Sequence, residues 1–171
     1  MTDRGTYLEF EGRPAVRFQR TYPHPVEEVW AAVTDSDELK TWFPSAVSME
    51  QREGGAIAFS GDPYAEDTTG TILTFDPPRR LAYSWADGEI HFELEPTDTG
   101  CTLTLINVLD VRNAAARNAA GWDVCLGLLG QHLAGEQSAG PHSDSFEDWE
   151  RIYGSYVAAG LPSGADVPDL A

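Results

Sequence analysis

Polar side chains at otherwise apolar strand positions are the residues of this sequence best placed to do chemistry. Tyr83 shares one side of a predicted strand with Leu81, and Asn107 shares one side of another with Leu105. Either could orient a ligand by hydrogen bonding, or could satisfy a neighbouring backbone group instead. Asp123, on a predicted helix, could act as a general base at a cavity mouth or lie solvated at the surface. The spacing leaves these alternatives open.

The sequence contains none of the common patterns for metal binding, nucleophilic catalysis or phosphate binding. The four histidines, His24, His91, His132 and His142, fall in different segments and show no HxxxH or His/Cys spacing. No GxSxG, P-loop or GxGxxG motif occurs, and Gly54-Gly55 is typical of a hairpin turn. We therefore expect no metal and no cofactor, and we see no pairing of a nucleophile with a base.

Composition predicts an acidic, globular protein. The chain has 171 residues, of which 42% are hydrophobic and five are tryptophan, enough for a real core. Eleven basic residues face 28 acidic ones, so the net charge of −17 should repel nucleic acids and anionic membranes. Cys101 and Cys125 form no CxxC pair and are typical of buried thiols in a reducing compartment.

The sequence also predicts where the protein resides. No apolar run approaches the roughly 18 residues of a membrane span, and the N-terminus lacks an apolar signal region. We expect a cytoplasmic protein, either a monomer or a homodimer, whose partner is a hydrophobic small molecule.

The elements that must position these side chains begin with one strand and two short helices. Residues 14–22 alternate as a strand does, and a Pro-His-Pro sequence ends the run. Apolar residues then recur at helical spacing from Val26 to Val33. Asp35 or Ser36 can cap a second short helix that carries Trp42 and Phe43.

Six strand-like runs follow, separated by short turns rich in glycine, proline and aspartate. They are Ala46–Arg52, Ala56–Ser60, Thr69–Phe75, Arg80–Trp85, Glu89–Glu95 and Cys101–Leu109. Because a parallel crossover needs a dozen or more residues, such short connections predict antiparallel neighbours. With the first strand, the sheet has about seven strands.

A long helix and an acidic tail complete the chain. The helix runs from near Asn113 to about Ala134, with an apolar stripe and with Gly135 as its C-cap. In the tail, aromatic residues recur at helical spacing and predict a short amphipathic helix near 145–157, docked on the body. We divide the chain into an N-terminal segment (1–13), one domain (14–135) and the tail (136–171).

This order of elements predicts an α+β fold in which a curved antiparallel sheet wraps around one long C-terminal helix. A sheet covered by a single helix buries one face well. A helix laid across a strongly curved sheet leaves a gap lined from both sides, and such gaps are common apolar ligand pockets.

Several stretches resemble the helix-grip (START-like, SRPBCC) superfamily, in the branch of the activator of heat-shock-protein-90 ATPase homologues. They are residues 20–30, with their strand, proline and Val-Trp helix, residues 37–43, 70–73 and 78–83, and the final helix with Ala120-Gly121-Trp122 and Leu128-Leu129. The resemblance covers roughly residues 14–135 and is collinear. It implies a helix-grip domain that holds an apolar small molecule. The eukaryotic co-chaperones of that branch mostly carry a further N-terminal domain, for which this sequence shows no counterpart.

The residues expected to line the cavity are mostly aromatic. They are Trp30, Trp42, Phe43, Tyr83, Trp85, Phe92, Leu105, Asn107, Trp122, Leu126 and Leu129. The leading hypothesis is a module that binds an apolar or aromatic small molecule. One alternative is a cyclase, dehydratase or hydrolase that uses Tyr83, Asn107 or Asp123 for proton transfer. The other is a co-chaperone-like interaction module that uses the acidic surface or the tail helix around Trp149.

Overall fold

The computed structural model describes residues 5–62, 66–85, 88–136 and 146–165. In chain order the elements are β1 (Thr6–Phe10), β2 (Arg13–Tyr22), α1 (Val26–Thr34), α2 (Ser36–Leu39), β3 (Ala46–Met49), β4 (Ala56–Ser60), β5 (Thr68–Asp76), β6 (Arg80–Trp85), β7 (Gly88–Thr97), β8 (Gly100–Val108), α3 (Ala115–Leu133) and α4 (Phe146–Ala158). A single 3-10 turn, Arg112–Ala114, leads into α3.

The strands form one curved antiparallel sheet in the order β1-β2-β8-β7-β6-β5-β4-β3, with α3 packed on its concave face. The predicted α+β helix-grip architecture is therefore confirmed. The sheet has one strand more than expected, because β1 lies within residues 1–13, where we had predicted none. A two-residue turn joins β1 to β2, with positive φ at both Glu11 (51°) and Gly12 (80°). That combination is typical of a type I′ hairpin, whose twist matches that of the strands.

The sheet register sets the inward-facing side chains in rows. Tyr83 on β6 pairs with Ile90 on β7, which pairs with Asn107 on β8, and all three are buried. The next row places Phe92 opposite Leu105. The alternation that predicted this face from the sequence holds in the structure.

The helix α3 is fixed to the sheet by apolar packing and by two polar contacts with β2. Trp122, Leu126 and Leu129 are buried on its sheet side. The Tyr22 hydroxyl donates to the carbonyl of Leu126 (3.3 Å). Arg20 Nη2 lies 2.7 Å from Asp123 Oδ1 in a half-buried ion pair.

The second helix is shorter than the sequence suggested. The side chain of Asp35 caps α2 by accepting from two backbone N–H groups, as predicted. However, α2 ends at Leu39, so Trp42 and Phe43 lie in the turns that follow it. Trp42 Nε1 donates to the carbonyl of Ala32 (2.9 Å), which ties that segment to α1.

The strand predicted at Ala46–Arg52 ends at Met49. Beyond it, the Glu50 carboxylate accepts from the N–H of Ala56 (3.0 Å), and the Arg52 N–H donates to the Glu50 carbonyl (2.8 Å). These local bonds close a turn in place of further pairing.

The tail helix α4 packs on α3 and is held by one tyrosine. Tyr156 is fully buried; its hydroxyl accepts from the N–H of Gly5 (2.8 Å) and donates to Asp123 Oδ2. The rings of Trp149 and Tyr153 stack on each other with centroids 5.1 Å apart. His142, the first residue of the helix predicted near 145–157, and much of the acidic tail lie outside the described residues.

Candidate functional site

Seven aromatic side chains meet between α3 and the sheet, and we call them the aromatic cluster. They are Trp42, Phe43, Phe59, Tyr83, Trp85, Phe92 and Trp122. Phe43 is at the centre: its ring centroid lies 5.6 Å from that of Trp42 and 5.7 Å from that of Trp122. Centroid distances of 6.1 Å to Trp85 and 6.2 Å to Phe59 join it to β6 and β4.

The aromatic cluster reaches the protein surface at one member. Six of its rings are buried, whereas Trp85, the last residue of β6, remains partly exposed. The ring of Trp122 lies 5.6 Å from that of Trp85. Trp85 and Trp122 therefore mark the place where the interior of the cluster comes closest to solvent.

Tyr83 lies deep in the aromatic cluster. Its ring is 5.7 Å from that of Phe59 and 6.4 Å from that of Phe92, and the residue is completely buried. Burial raises the pKa of the Tyr83 hydroxyl, because the charged phenolate would lose its hydration. The side chain is thus a neutral phenol at physiological pH.

Asn107, the other polar residue of this inner face, has all of its hydrogen-bonding positions occupied. Its Nδ2 donates to the carbonyls of Glu89 and Val108, at 3.2 Å each. Its Oδ1 accepts from Asn118 Nδ2 (2.9 Å) and from Trp122 Nε1 (3.1 Å). Asn107 thereby joins β7 and β8 to the first turns of α3 and holds the Trp122 ring in place.

Asp123 is neither a free base at a cavity mouth nor a solvated surface carboxylate. Both of its oxygens are engaged, Oδ1 by Arg20 and Oδ2 by the Tyr156 hydroxyl. Its side chain is only 20% exposed. The sequence could not foresee this arrangement, because Arg20 and Tyr156 are brought to α3 by distant parts of the chain.

The remaining predicted lining residues divide into two groups. Leu105, Leu126 and Leu129 are fully buried in the same hydrophobic core as the aromatic cluster. Trp30 lies apart from it: this partly buried α1 residue packs against Phe75 of β5, with ring centroids 5.6 Å apart. Trp30 thus makes its ring contact outside the cluster.

Phe59 is the member of the aromatic cluster that sequence reasoning missed. It stands between Phe43 and Tyr83 and links the β4 side of the sheet to the centre. The signal was available, since Ile57 and Phe59 alternate with small residues along β4 and both face inward.

Cys125 lies on α3 and is buried. Burial, together with the negative charge of Asp62 in the β4–β5 connection, raises the pKa of its thiol to about 12. Because the thiolate is the nucleophile, this cysteine is an inert, protonated side chain at neutral pH.

Within the described ranges, no three side chains of His, Cys, Asp or Glu are grouped so that they could hold a metal ion. In that same part of the chain, no helix is both long and apolar enough to cross a membrane.

A family model shows to which group of known proteins this chain is related. The model of the Activator of Hsp90 ATPase homolog 1-like proteins matches residues 23–134. The chain belongs to this family. The family lies within the START-like (SRPBCC) superfamily, so the resemblance found in the sequence is confirmed. All of the predicted lining residues fall inside the matched range, whereas β1 and α4 fall outside it.

Solved structures with the same fold span almost the whole chain. The crystal structure of CalU16 from Micromonospora echinospora is 25% identical, with a TM-score of 0.70, and the match covers 93% of this chain and 96% of that one. EF2215 from Enterococcus faecalis, a conserved protein of unknown function, is 20% identical with a TM-score of 0.71, covering 91% and 89%.

A third structure, DynU16, is described as a protein in the dynemicin biosynthetic locus. It is 25% identical with a TM-score of 0.62, and the match covers 70% of this chain and 47% of that one. Among curated proteins, none matches the sequence.

Proposed function

We propose that this protein binds an apolar, aromatic small molecule between α3 and the sheet, against the aromatic cluster. The observation that carries the proposal is the convergence of seven aromatic rings from five separate parts of the chain, with an edge at Trp85 that reaches the surface. Small-molecule sites are lined mainly by hydrophobic and aromatic side chains with few polar groups.

The polar groups near the aromatic cluster favour binding over catalysis. Asn107 is saturated by four hydrogen bonds, and Asp123 is engaged by Arg20 and Tyr156. Burial keeps both the Tyr83 phenol and the Cys125 thiol protonated. Among the described residues, none of the side chains proposed for proton transfer is therefore available as a base.

The structural neighbours support a small-molecule ligand. DynU16 is described as belonging to a biosynthetic locus, and CalU16 has nearly the same length as this chain and the same fold. Such neighbours favour a role in small-molecule metabolism over an interaction with a macromolecule.

The test is a fluorescence titration with phenylnaphthylamine, a neutral apolar dye, on wild type and on Leu129→Trp. Leu129 is buried two helical turns beyond Trp122 on the same face of α3, so a tryptophan there should fill the space above the sheet. We expect dye binding to be lost, at a cost of only about 1–3 kcal/mol in unfolding free energy, or at a gain.

Leu73→Trp is the matched control, because Leu73 lies on β5 and is 40% exposed. It should bind the dye as wild type does. The proposal fails if wild type binds no dye and Leu129→Trp is badly destabilised, since that result describes a close-packed core with no room for a ligand.

A further inference from the structure

Tyr83 is a buried residue of the aromatic cluster whose hydroxyl has no hydrogen-bond partner among the described residues. Tyr83 is completely buried between Phe59 and Phe92. Its hydroxyl makes no hydrogen bond to any of the described residues, and burial is the one cause of its raised pKa. Burying a hydroxyl without a hydrogen bond is unfavourable, and buried polar atoms almost always have partners. Tyr83 therefore requires an explanation.

The Tyr83 hydroxyl oxygen is not fully enclosed by protein atoms. In the described part of the chain, every side-chain nitrogen or oxygen that is fully enclosed by protein atoms has a hydrogen-bond partner. The Tyr83 oxygen lacks one, so it does not belong to the enclosed atoms, although the residue as a whole shows 0% exposure. The rings of Phe59 and Phe92 are the aromatic neighbours of Tyr83 at this place.

We propose that Tyr83 is the polar anchor of the ligand, and that its hydroxyl donates a hydrogen bond to a carbonyl-type oxygen on a neutral, flat aromatic molecule. This inference rests on the proposed function and deepens it by naming the chemistry of the ligand. The contrast with Asn107 supports it. Of the two polar groups on this face, Asn107 is saturated by the protein and Tyr83 is left open.

The surroundings of Tyr83 indicate which chemical features the ligand should have. The phenol stays protonated at neutral pH, so it offers a donor, and the ligand must present an acceptor. An ionised ligand would lose its hydration among these rings, and a net charge of −17 repels anions from the protein as a whole. Flat aromatic surfaces fit a wall of rings whose centroids lie 5.6–6.4 Å apart.

The experiment compares fluorene with fluorenone, two flat three-ring molecules of nearly the same shape that differ by one ketone oxygen. Affinities are measured by tryptophan quenching for wild type, Tyr83→Phe and Tyr7→Phe. Tyr7 is the matched control, because it lies on β1 beside Arg112 and outside the aromatic cluster. Wild type and Tyr7→Phe should prefer fluorenone by about fivefold, the value of one net hydrogen bond. Tyr83→Phe should lose that preference by weakening fluorenone binding alone.

A second measurement needs no ligand. Because the Tyr83 hydroxyl makes no bond in the described protein, Tyr83→Phe should unfold at the same urea concentration as wild type or at a higher one. Tyr156→Phe, which removes a hydroxyl with two hydrogen bonds, should unfold at a lower one. A lowered midpoint for Tyr83→Phe would show that the hydroxyl has a structural partner and would overturn the proposal.

The outcomes separate this proposal from the proposed function. If both compounds bind and Tyr83→Phe leaves the preference unchanged, Tyr83 is not the anchor and the binding function stands. If phenylnaphthylamine binds but neither compound does, the ligand chemistry named above is wrong. If none of the three binds wild type, the proposed function fails and the anchor fails with it.

Discussion

At the scale of single residues, Asn107 connects groups that would otherwise be buried without partners. Removing its side chain would leave the carbonyl of Glu89, the amide of Asn118 and the indole N–H of Trp122 short of one hydrogen bond each. We expect Asn107→Ala to lower the free energy of unfolding by about 2–4 kcal/mol, because each unpaired buried group adds to the cost. Urea denaturation measures the change.

Asn113→Ala is the control for that substitution, since Asn113 is exposed. It should change the free energy of unfolding by less than about 0.5 kcal/mol. An equally small effect of Asn107→Ala would contradict a structural role and would return Asn107 to the candidates for ligand contact.

Side-chain alternation in the sequence was enough to place Tyr83 and Asn107 on the inner face, but it could not distinguish their roles. Their difference depends on which groups the sheet register and α3 bring within reach. Asn118 and Trp122 meet Asn107 only because α3 starts beside the end of β8. Nothing in the local sequence around Tyr83 indicates that its hydroxyl lacks such neighbours.

At the scale of elements, Tyr156 secures α4. Its hydroxyl joins Asp123 on α3 to the backbone N–H of Gly5, which precedes β1. Tyr156→Phe should lower the free energy of unfolding by about 1–3 kcal/mol, because the Gly5 N–H is left buried without an acceptor. Tyr153→Phe, at a partly exposed position, should have little effect in the same denaturation experiment. Equal stability of the two variants would contradict the role of Tyr156.

The glycine at position 127 offers a test of how α3 packs. Gly127 is exposed, and a Cβ placed on it would meet no atom within 4 Å. Gly127→Ala should therefore raise the free energy of unfolding by about 1 kcal/mol, the difference in helix propensity. Thermal or urea denaturation measures it. A loss of stability would mean that this part of α3 is not a regular exposed helix.

The elements themselves were largely predictable, and the exceptions have physical reasons. Alternating apolar residues predicted β2 and the six strands from β3 to β8, and helical spacing predicted α1, α3 and α4. The first strand was missed because Glu11 adopts a positive φ that glutamate seldom takes, so the turn before β2 carries a weak signal. The bond from Tyr156 to Gly5 spans 151 residues, and no local pattern encodes it.

At the scale of the whole molecule, the net charge of −17 disfavours binding to polyanions such as DNA. We expect no retardation of duplex DNA in a gel shift at low salt, where electrostatic attraction would be strongest. A basic DNA-binding domain of similar size run beside it is the positive control. Tight binding at low salt would reveal a cationic surface that the ten arginines and one lysine do not suggest.

The most direct test of the account uses the five tryptophans as position markers. Their indole N–H signals in the NMR spectrum of the isotope-labelled protein report separately on different parts of the fold during a titration with fluorenone. Trp85 and Trp122, whose rings meet at the edge of the aromatic cluster, should shift most. The indole signals of Trp30, which lies beside Phe75, and of Trp149, on α4, should not shift. Shifts centred on Trp149, or no shift at any indole, would contradict a binding site between α3 and the sheet.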